Sequence, residues 1–339
     1  MKAIRIHQHG GTDVLQIDNL EEPVPGPHEV LVKIKTGALN HLDIFVRKGI
    51  PGIRLPLIMG SDGAGIIEEC GGAVHNFKAG DKIINMPFRI SADDPAFIEN
   101  RENLSPNYQI TGEHCDGLQA EYVAIPEIFV FKKPEHISWE AAAAFPLVSL
   151  TAYHMLVQKV NLQPGQWLLV HGASSGVGSA AIQIAKILGA RIIASTSSSE
   201  KCEMAKKLGA DFVINYTREP IGKTAKEISD GGVNVVFDHT GEKTWKESLR
   251  ALKTGGKLVT CGATSGPLVQ IDLRALFIKQ QQLIGSTMGT RQDMLAVAKM
   301  VESGKLKPVI SRVFDFSEVR EAHHFLEDGK QFGKVILKF

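Results

Sequence analysis

This 339-residue chain contains a glycine-rich turn between an apolar run and a helical segment, and the combination limits the folds that it can adopt. The apolar run, residues 168–170, is typical of a strand that is buried on both faces of a parallel sheet. Gly172, Gly176 and Gly178 then allow a tight turn and a close approach to a pyrophosphate, whose charge is favoured by the N–H groups at the start of the next helix. A second strand begins at Arg191. This order predicts a unit that binds a nicotinamide dinucleotide.

The residues after the second strand indicate which dinucleotide binds. In dinucleotide folds, an acidic residue about twenty positions beyond the glycines binds the 2′-hydroxyl of the adenine ribose. Here Thr196 and the serines at 197–199 stand at that place, and Lys201 follows. Hydroxyl groups and a cation suit a negatively charged 2′-phosphate. We therefore expect NADPH as the cofactor.

The same glycine spacing also fits the short-chain dehydrogenases, whose active site needs a Tyr-x-x-x-Lys pair. The chain has four tyrosines, and none has a lysine four residues later. The tyrosines are Tyr108, Tyr122, Tyr153 and Tyr216. The sequence therefore disfavours that class.

The composition limits the partners of the chain. Lys plus Arg number 38 and Asp plus Glu 37, so the net charge of +1 gives no field that would attract nucleic acid or an anionic membrane. The first residues lack the apolar core of a signal peptide, and no apolar stretch approaches the roughly twenty residues of a membrane span. The four cysteines form no Cys-x-x-Cys pair, which argues against a disulfide framework or a zinc ribbon. We expect a cytoplasmic protein that acts on a small molecule.

The pattern of short strands changes to alternating strands and helices after about residue 130. Residues 2–128 contain short strands broken by Gly and Pro, which predicts a β-rich, barrel-like unit. The later alternation predicts an α/β fold with a doubly wound parallel sheet. Its candidate strands are 167–171, 191–195, 212–214, 233–238, 257–261 and 282–286. We predict a substrate domain at 1–128 and 286–339 and a cofactor domain at 129–285.

Motifs in one order along nearly the whole chain resemble those of the medium-chain dehydrogenase/reductase superfamily. They are the nucleotide turn and the runs that begin at Gly26 (GPHEVLVKI), Ala38 (ALNHLD), Pro56 (PLIMGSDGAGII), Gly80 (GDKI), Lys207 (KLGADFVINY), Phe237 (FDHTG), Gly255 (GGKLVTCG) and Gly333 (GKVIL). ALNHLD and the run FVRKG from Phe45 are similar to the quinone oxidoreductase branch. The resemblance implies a Rossmann cofactor domain and a GroES-like substrate domain.

The positions that hold catalytic zinc in the alcohol dehydrogenases of this superfamily carry other residues here. The resemblance places Asn40 where those enzymes have Cys, Ser61 where they have His, Asp62 where they have Glu, and Leu147 near the third ligand. Zinc needs three or four nitrogen, thiolate or carboxylate ligands, which this set does not supply. We expect no catalytic metal.

A second lobe holds a structural zinc in many of these enzymes through four cysteines. The corresponding positions here are Ser91, Asp94, Phe97 and Ser105, so every thiolate is lost. We expect high mobility between Ile90 and Asn107.

The resemblance also implies a substrate cleft between the two domains. Its candidate catalytic residues are Asn40, which can donate to a carbonyl oxygen, His41, which could shuttle a proton or serve an ancillary role, Asp43 and Ser61. The cleft wall is assigned to Phe45, Arg47 and Thr151, the last near the nicotinamide. Without a Lewis acid the alkoxide of a simple alcohol is poorly stabilised, whereas a quinone or an enone delocalises the charge of the incoming hydride.

The cofactor residues implied by the resemblance lie around the turn and at the ends of the later strands. Ser197, Lys201 and Tyr216 are expected around the 2′-phosphate. The remaining candidates are Thr151, Ser174, Ser175, Gly176, Val177, Gly178, Thr240, Gly241, Gly262, Ser286 and Lys334.

These residues predict an NADPH-dependent, zinc-independent oxidoreductase that reduces a quinone or an activated alkene such as an enone. An alcohol dehydrogenase or aldehyde reductase of the same superfamily is the first alternative. A non-enzymatic NADPH-binding structural or regulatory protein is the second. Segments 256–262 and 282–286 are similar to the edge through which relatives pair, so we expect a homodimer.

Overall fold

The computed structural model describes residues 1–339, which form two units, one dominated by antiparallel strands and one in which strands and helices alternate. The first unit contains Met1–Leu147, Thr290–Leu295 and Pro308–Phe339, and the second contains Val148–Gly289 and Ala296–Lys307. No helix has the length and apolar character needed to cross a membrane.

The two units contain eighteen β-strands. They are β1 (Lys2–Ile6), β2 (Leu15–Asn19), β3 (Glu29–Leu39), β4 (Leu57–Ile58), β5 (Asp62–Cys70), β6 (Lys82–Asn85), β7 (Phe88–Arg89), β8 (Gln109–Ile110), β9 (Tyr122–Pro126), β10 (Val130–Lys132), β11 (Trp167–Val170), β12 (Arg191–Thr196), β13 (Phe212–Asn215), β14 (Val233–Asp238), β15 (Leu252–Thr260), β16 (Gln282–Gly285), β17 (Ile310–Asp315) and β18 (Lys334–Lys338).

Eleven α-helices connect or cover the strands. They are α1 (His41–Lys48), α2 (Pro95–Ile98), α3 (Trp139–Ala144), α4 (Pro146–Tyr153), α5 (Gly176–Ile187), α6 (Ser199–Leu208), α7 (Ile221–Ile228), α8 (Glu242–Ala251), α9 (Leu273–Ile278), α10 (Arg291–Glu302) and α11 (Val319–Glu327). A π-helix, His154–Lys159, follows α4 directly.

The first unit is built around β3, which is eleven residues long. It pairs with β5, β9 and β18 in a seven-stranded sheet, and the order β10-β6-β5-β3-β18-β17 continues on both sides. Side chains of β1, β3 and β18 form its main core together with α1 and α11. Burial of these apolar faces stabilises the sheet, because each fully buried aliphatic side chain contributes roughly 1.5–3 kcal/mol.

The second unit contains a six-stranded sheet in the order β13-β12-β11-β14-β15-β16, with every pair parallel. β11 is fully apolar and buried, as a central parallel strand must be when helices cover both faces. The strand order reverses between β12 and β14 on either side of β11, which is where dinucleotides bind in such sheets. The predicted α/β class with a doubly wound parallel sheet and a β-rich unit is confirmed.

The units divide the chain at residues other than 128 and 286. β10 pairs with β6 of the first unit, and Ala143 and Ala144 of α3 pack against Ala38 and Ile336. Residues 129–147 therefore belong with the β-rich unit, although the helical pattern of α3 suggested the cofactor domain. Residues 286–289 and 296–307, which were predicted for the substrate domain, lie with the second unit.

Asp94 forms hydrogen bonds that connect parts of the lobe of residues 90–107, where the cysteines of related enzymes are replaced. Its Oδ2 accepts hydrogen bonds from Ser105 Oγ and Asn107 Nδ2, both at 2.9 Å, and its Oδ1 accepts from Ala96 N at 2.9 Å to cap α2. The ring of Phe97 meets that of Phe129 edge-on at 6.4 Å. Two of the four vacated cysteine positions, 94 and 105, are thus joined directly by a hydrogen bond. The mobility of the lobe stays a prediction.

Candidate functional site

The register of three strands brings the predicted catalytic residues of the first unit together. Ala38 of β3 lies opposite Ile336 of β18 on one side and Asp62 of β5 on the other. Asn40 follows β3 directly, and Lys334 is the first residue of β18. Three distant parts of the chain therefore meet at one end of the sheet.

Asn40, Asp62 and Lys334, here named the Asn40 cluster, form a buried hydrogen-bonded group. Lys334 Nζ donates to Asn40 Oδ1 at 2.5 Å and to Asp62 Oδ2 at 3.0 Å, and Asn40 Nδ2 donates to Asp62 Oδ2 at 2.9 Å. The other oxygen of Asp62 accepts from the backbone N–H of Leu147 at 2.8 Å. Because an ammonium group can only donate and a carboxylate only accept, these partners determine which way the Asn40 amide points.

Asp43 supports Asn40 from the first turn of α1. Its Oδ2 accepts a hydrogen bond from the backbone N–H of Asn40 at 2.7 Å. A carboxylate in the first turn also interacts favourably with the positive end of the helix dipole. Burial raises the pKa of Asp43 to about 7. The neighbouring Ser61 is fully buried, and its Oγ has no hydrogen-bond partner. The predicted group therefore combines a donor amide, a carboxyl group that titrates near neutral pH and one orphaned hydroxyl.

The residues at the zinc positions do not fit a zinc ion. The oxygens of Asn40 and Asp62 that a metal would need accept hydrogen bonds from the ammonium of Lys334. At the third position Leu147 presents a backbone N–H, which is a donor and cannot bind a cation. No group of three or more His, Cys, Asp or Glu side chains is arranged to hold a metal ion. A lysine ammonium supplies the positive charge at this place.

Lys334 therefore lies in the Asn40 cluster, where sequence reasoning did not place it. Its side chain is 4% exposed, and two of its three N–H donors are used by Asn40 and Asp62. Its predicted contact with the cofactor stays a prediction. No local signal indicated the pairing, because the partners are separated by 294 and 272 residues.

Arg47 does not line a cleft wall, contrary to the sequence-based expectation. Its side chain is 1% exposed, and its Nη2 donates to Glu327 Oε1 of α11 at 2.7 Å. Arg47 lies four residues after Asp43, on a buried face of α1, and the period of the helix turns both inward. His41 and Phe45 are half-buried. Thr151 lies in the second unit on α4, buried, with no partner for its Oγ1.

The glycine turn of the second unit is tightly folded at the start of α5. Ser175 caps α5, and its Oγ accepts from Gly178 N at 2.8 Å. Gly172 has a φ of +57°, and a Cβ at position 178 would lie 2.3 Å from the Gly172 carbonyl oxygen. Glycine is therefore the residue that fits at position 172 and at position 178. Ser174, Gly176 and Val177 complete this turn at the start of α5, where N–H groups favour an anion.

Two of the three predicted 2′-phosphate residues are brought side by side by strand register. Thr196 lies opposite Asn215 in the parallel pair of β12 and β13, so Ser197 and Tyr216 follow at neighbouring strand ends. Tyr216 is 49% exposed. Lys201 lies in the first turn of α6, half-buried, and burial lowers its pKa. No acidic side chain stands at the end of β12.

The remaining predicted cofactor residues lie at the carboxyl ends of β14, β15 and β16. Thr240 and Gly241 follow β14, and both backbone N–H groups donate to Asp238 Oδ1, at 2.8 and 3.1 Å. Gly262 follows β15, and Ser286 N donates to the carbonyl of Thr260 at 2.9 Å. The sheet thus aligns these residues along the edge at which ligands bind in open parallel sheets.

Sequence reasoning missed His171 and His239, which flank the glycine turn. His239 Nε2 lies 3.1 Å from the carbonyl oxygen of His171 and 3.2 Å from Ser175 Oγ. A Cβ on Gly172 would lie 2.8 Å from its ring. The available signal was the histidine immediately before Gly172 and the histidine of the FDHTG motif directly after β14.

Two family models match the chain. The model of the alcohol dehydrogenase GroES-like domain matches residues 26–135, and that of the zinc-binding dehydrogenases matches residues 176–303. Together they cover more than half of the chain.

Curated relatives include reductases of activated alkenes and of quinones. The chain is 33% identical to a crotonyl-CoA carboxylase/reductase of Cereibacter sphaeroides, over 95% of this chain and 83% of that protein. It is 31% identical to an acryloyl-coenzyme A reductase of Sulfurisphaera tokodaii, over 100% of both chains. It is also 31% identical to a quinone oxidoreductase of Pseudomonas aeruginosa, over 99% of both chains.

Solved structures show the same fold over the whole chain. A structure described as an NAD-dependent alcohol dehydrogenase has a TM-score of 0.97 with 40% identity, over 100% of both chains. The crotonyl-CoA carboxylase/reductase AntE in complex with NADP has a TM-score of 0.92 with 25% identity, over 100% of this chain and 94% of that one. The relatives are oxidoreductases, and this chain is an enzyme of that class. With two matching domains in this order and full-length relatives, the chain belongs to the medium-chain dehydrogenase/reductase superfamily.

Proposed function

We propose that this chain is an NADPH-dependent, zinc-independent reductase of a conjugated acceptor, either an activated alkene such as an enone or an enoyl thioester, or a quinone. The observation that carries this proposal is the Asn40 cluster, because a lysine ammonium stands where related enzymes hold a metal. The alkene- and quinone-reducing relatives agree with it.

Asn40 presents a hydrogen-bond donor for a carbonyl oxygen. Its Oδ1 is occupied by Lys334, and one of its two amide hydrogens points to Asp62. The second amide hydrogen can therefore donate to a substrate oxygen. The nearby ammonium favours negative charge on that oxygen, as it would develop in an enolate or a hydroquinone anion.

The acceptor must be conjugated because the residues offer hydrogen bonds and a fixed cation rather than a Lewis acid. NADPH, when bound, supplies the hydride. The Asn40 amide would orient the carbonyl, and the positive charge of Lys334 would stabilise the electron pair that moves onto oxygen. A proton then completes the reduction, and Asp43, with its pKa near 7, lies one helical turn from Asn40.

The preference for NADPH rests on the end of β12. Ser197 and Tyr216 lie at adjacent strand ends, Lys201 lies in the first turn of α6, and a serine directly follows β12 where an acidic residue would bind a free 2′-hydroxyl. Complexes of AntE with NADP support this choice. NAD is named in other relatives, including NAD-dependent alcohol dehydrogenases.

Alcohol or aldehyde turnover is the second candidate, favoured by the similarity to a structure described as an NAD-dependent alcohol dehydrogenase. The two are separated by measuring oxidation of NADPH and NADH with a panel of enones, enoyl thioesters, ortho- and para-quinones and simple aldehydes, with metal content measured on the same sample. We expect turnover of the conjugated acceptors with NADPH and less than about 0.1 zinc per chain. Turnover of aldehydes alone with one zinc per chain would overturn the proposal.

A further inference from the structure

Four buried side chains at the carboxyl ends of β12, β11 and β14 and on α8 form one continuous hydrogen-bonded chain. His171 Nδ1 lies 3.2 Å from Ser195 Oγ, and its Nε2 lies 2.8 Å from Ser248 Oγ. Ser248 Oγ donates to Asp238 Oδ2 at 2.7 Å. None of the four side chains is more than 1% exposed. None of them belongs to the predicted site.

The carboxylate determines the direction of every bond in this chain. Because the ionised Asp238 can only accept, the hydroxyl of Ser248 donates to it and must itself accept from His171 Nε2–H. The neutral ring then carries its proton on Nε2, so Nδ1 accepts from the hydroxyl of Ser195. Burial lowers the pKa of His171, which favours this neutral form.

Asp238 transmits this arrangement to a backbone turn. Its Oδ1 accepts from the N–H groups of Thr240 and Gly241, at 2.8 and 3.1 Å, and both oxygens accept from Thr244 Oγ1. Gly241 has a φ of +88° and is the N-cap residue that directly precedes α8. The carboxylate thus sets the conformation of the turn in which Thr240 and Gly241 were predicted to contact the cofactor.

His171 lies between three segments in which cofactor contacts were predicted: the glycine turn, the end of β12 and the turn after β14. It directly precedes Gly172 of the phosphate turn, and its backbone oxygen is within hydrogen-bond distance of His239 Nε2. Ser195 lies two residues before Ser197, and its backbone oxygen accepts from Ala173 N at 3.0 Å. One buried imidazole therefore joins the phosphate turn, the end of β12 and the turn after β14.

We infer that His171 is a positioning residue for the dinucleotide: through Ser248 and Asp238 it holds the Thr240–Gly241 turn in the conformation that binds the cofactor. This inference rests on the proposed binding of NADPH, and it adds a residue that does not touch the cofactor. Without the hydrogen bond from His171 Nε2, Ser248 and Asp238 can form other hydrogen bonds, and the Thr240–Gly241 turn loses its fixed conformation. Cofactor affinity then falls, whereas the rate of hydride transfer from bound cofactor stays unchanged.

Substituting His171 by glutamine or by asparagine distinguishes the roles of its two ring nitrogens. A glutamine at 171 places its amide near the position of Nε2 and can still donate to Ser248, whereas the shorter asparagine reaches only toward Ser195. We expect His171→Asn to raise the dissociation constant and KM for NADPH about tenfold, which corresponds to one buried hydrogen bond. We expect His171→Gln to stay within about threefold of wild type. Binding is measured by NADPH fluorescence titration, and kcat is measured at saturating NADPH.

Ser248 provides a second matched pair. Ser248→Ala should raise the dissociation constant for NADPH about tenfold, and Ser248→Thr, which keeps the hydroxyl, should not. In all four variants kcat at saturating NADPH should stay within about twofold of wild type. His28→Gln, which removes an exposed histidine of the first unit, is the control for loss of an imidazole.

Equal affinity in the asparagine and glutamine variants would overturn the inference, as would a loss of melting temperature with no change in NADPH affinity. If wild type itself binds neither NADPH nor NADH, the proposed function fails first, and the comparison of variants is then made on thermal stability. In that case a larger loss for His171→Asn than for His171→Gln supports the hydrogen-bond assignment, and equal losses contradict it.

Discussion

At the level of single residues, the buried charges of Lys334 and Asp62 are paired with each other inside the protein. Lys334 and Asp62 are 4% and 0% exposed and lie 3.0 Å apart. Taking both charges out of water carries a large desolvation cost, and removing one partner leaves the other uncompensated. His323 is the opposite case, because neither of its ring nitrogens has a partner although the side chain is fully buried.

The charges of Lys334 and Asp62 should be energetically coupled. We expect Lys334→Met to lower the free energy of unfolding by about 3–5 kcal/mol, because it strands the Asp62 carboxylate in the protein interior. Adding Asp62→Asn should recover most of that loss, since the buried charge is then removed. Urea denaturation of the two single variants and the double variant measures the coupling. Losses that simply add would contradict the pairing.

His323 should make the fold sensitive to acid. Burial, together with the nearby charge of Arg47, lowers the pKa of His323 from an ordinary value of 6.5 to about 3. The unfolded chain therefore takes up the proton first, so this contribution to stability is complete above about pH 6.5 and is lost as the pH falls toward 3.

We expect His323→Leu to reduce the difference in unfolding free energy between pH 7 and pH 5 by about 2 kcal/mol relative to wild type. The leucine also removes two buried nitrogens that lack partners. Denaturant titrations at the two pH values measure this change. His28→Gln serves as the exposed control, and an unchanged pH dependence in His323→Leu would show that His323 is not the group that titrates.

At the scale of elements, the lobe of residues 90–107 shows how hydrogen bonds can join positions that thiolates and zinc join in related enzymes. Asp94 accepts hydrogen bonds from Asn107, Ala96 and Ser105, and these bonds lower its pKa. A carboxylate with several donors can hold a loop, but such bonds are individually weak compared with metal ligation.

We expect Asp94→Ala to increase amide hydrogen exchange throughout residues 94–107 while the exchange of β3 and β11 stays unchanged, because the lobe opens locally. Asp93→Ala, at the exposed neighbouring position, is the matched control and should leave exchange as in wild type. Exchange measured by mass spectrometry distinguishes them. Equal exchange in both variants would mean that the Asp94 bonds do not hold the lobe.

At the scale of the whole molecule, the homodimer remains a prediction that the second unit supports. β16 forms one edge of the six-stranded sheet, and a free edge can pair with a second copy. Large apolar side chains are exposed just before it, in and near α9. They are Leu268, Leu273, Phe277 and Ile278, each at least 67% exposed. Large exposed apolar side chains clustered along the sequence are the kind of surface through which proteins associate.

We expect wild type to sediment as a dimer at micromolar concentration, and Phe277→Glu together with Ile278→Lys to shift it to the mass of one chain. Charges placed at a paired apolar surface must be desolvated, so association should weaken strongly. Substituting the exposed Val24 of the first unit by Lys is the control. A wild-type mass near that of one chain would contradict the dimer.

Features that depend on neighbours along the chain could be predicted from the amino-acid sequence alone. The turn at Gly172 and Gly178 needs glycine because of local backbone geometry, and the strand pattern around it determines a doubly wound parallel sheet. The loss of thiolates and of the acidic residue after β12 could likewise be seen without coordinates.

Contacts between side chains that are far apart in the sequence became visible in the folded structure. The register of β18 on β3 brings Lys334 to Asn40. The parallel pairing of β11 with β14 brings His171 and Asp238 to neighbouring strand ends, where Ser248 of α8 bonds to both. Neither arrangement leaves a periodic signal in the sequence. Arg47 was misplaced for the same reason, since the face of α1 that is buried depends on where α11 packs. Local backbone preferences act over a few residues, whereas register and packing are set by the whole core.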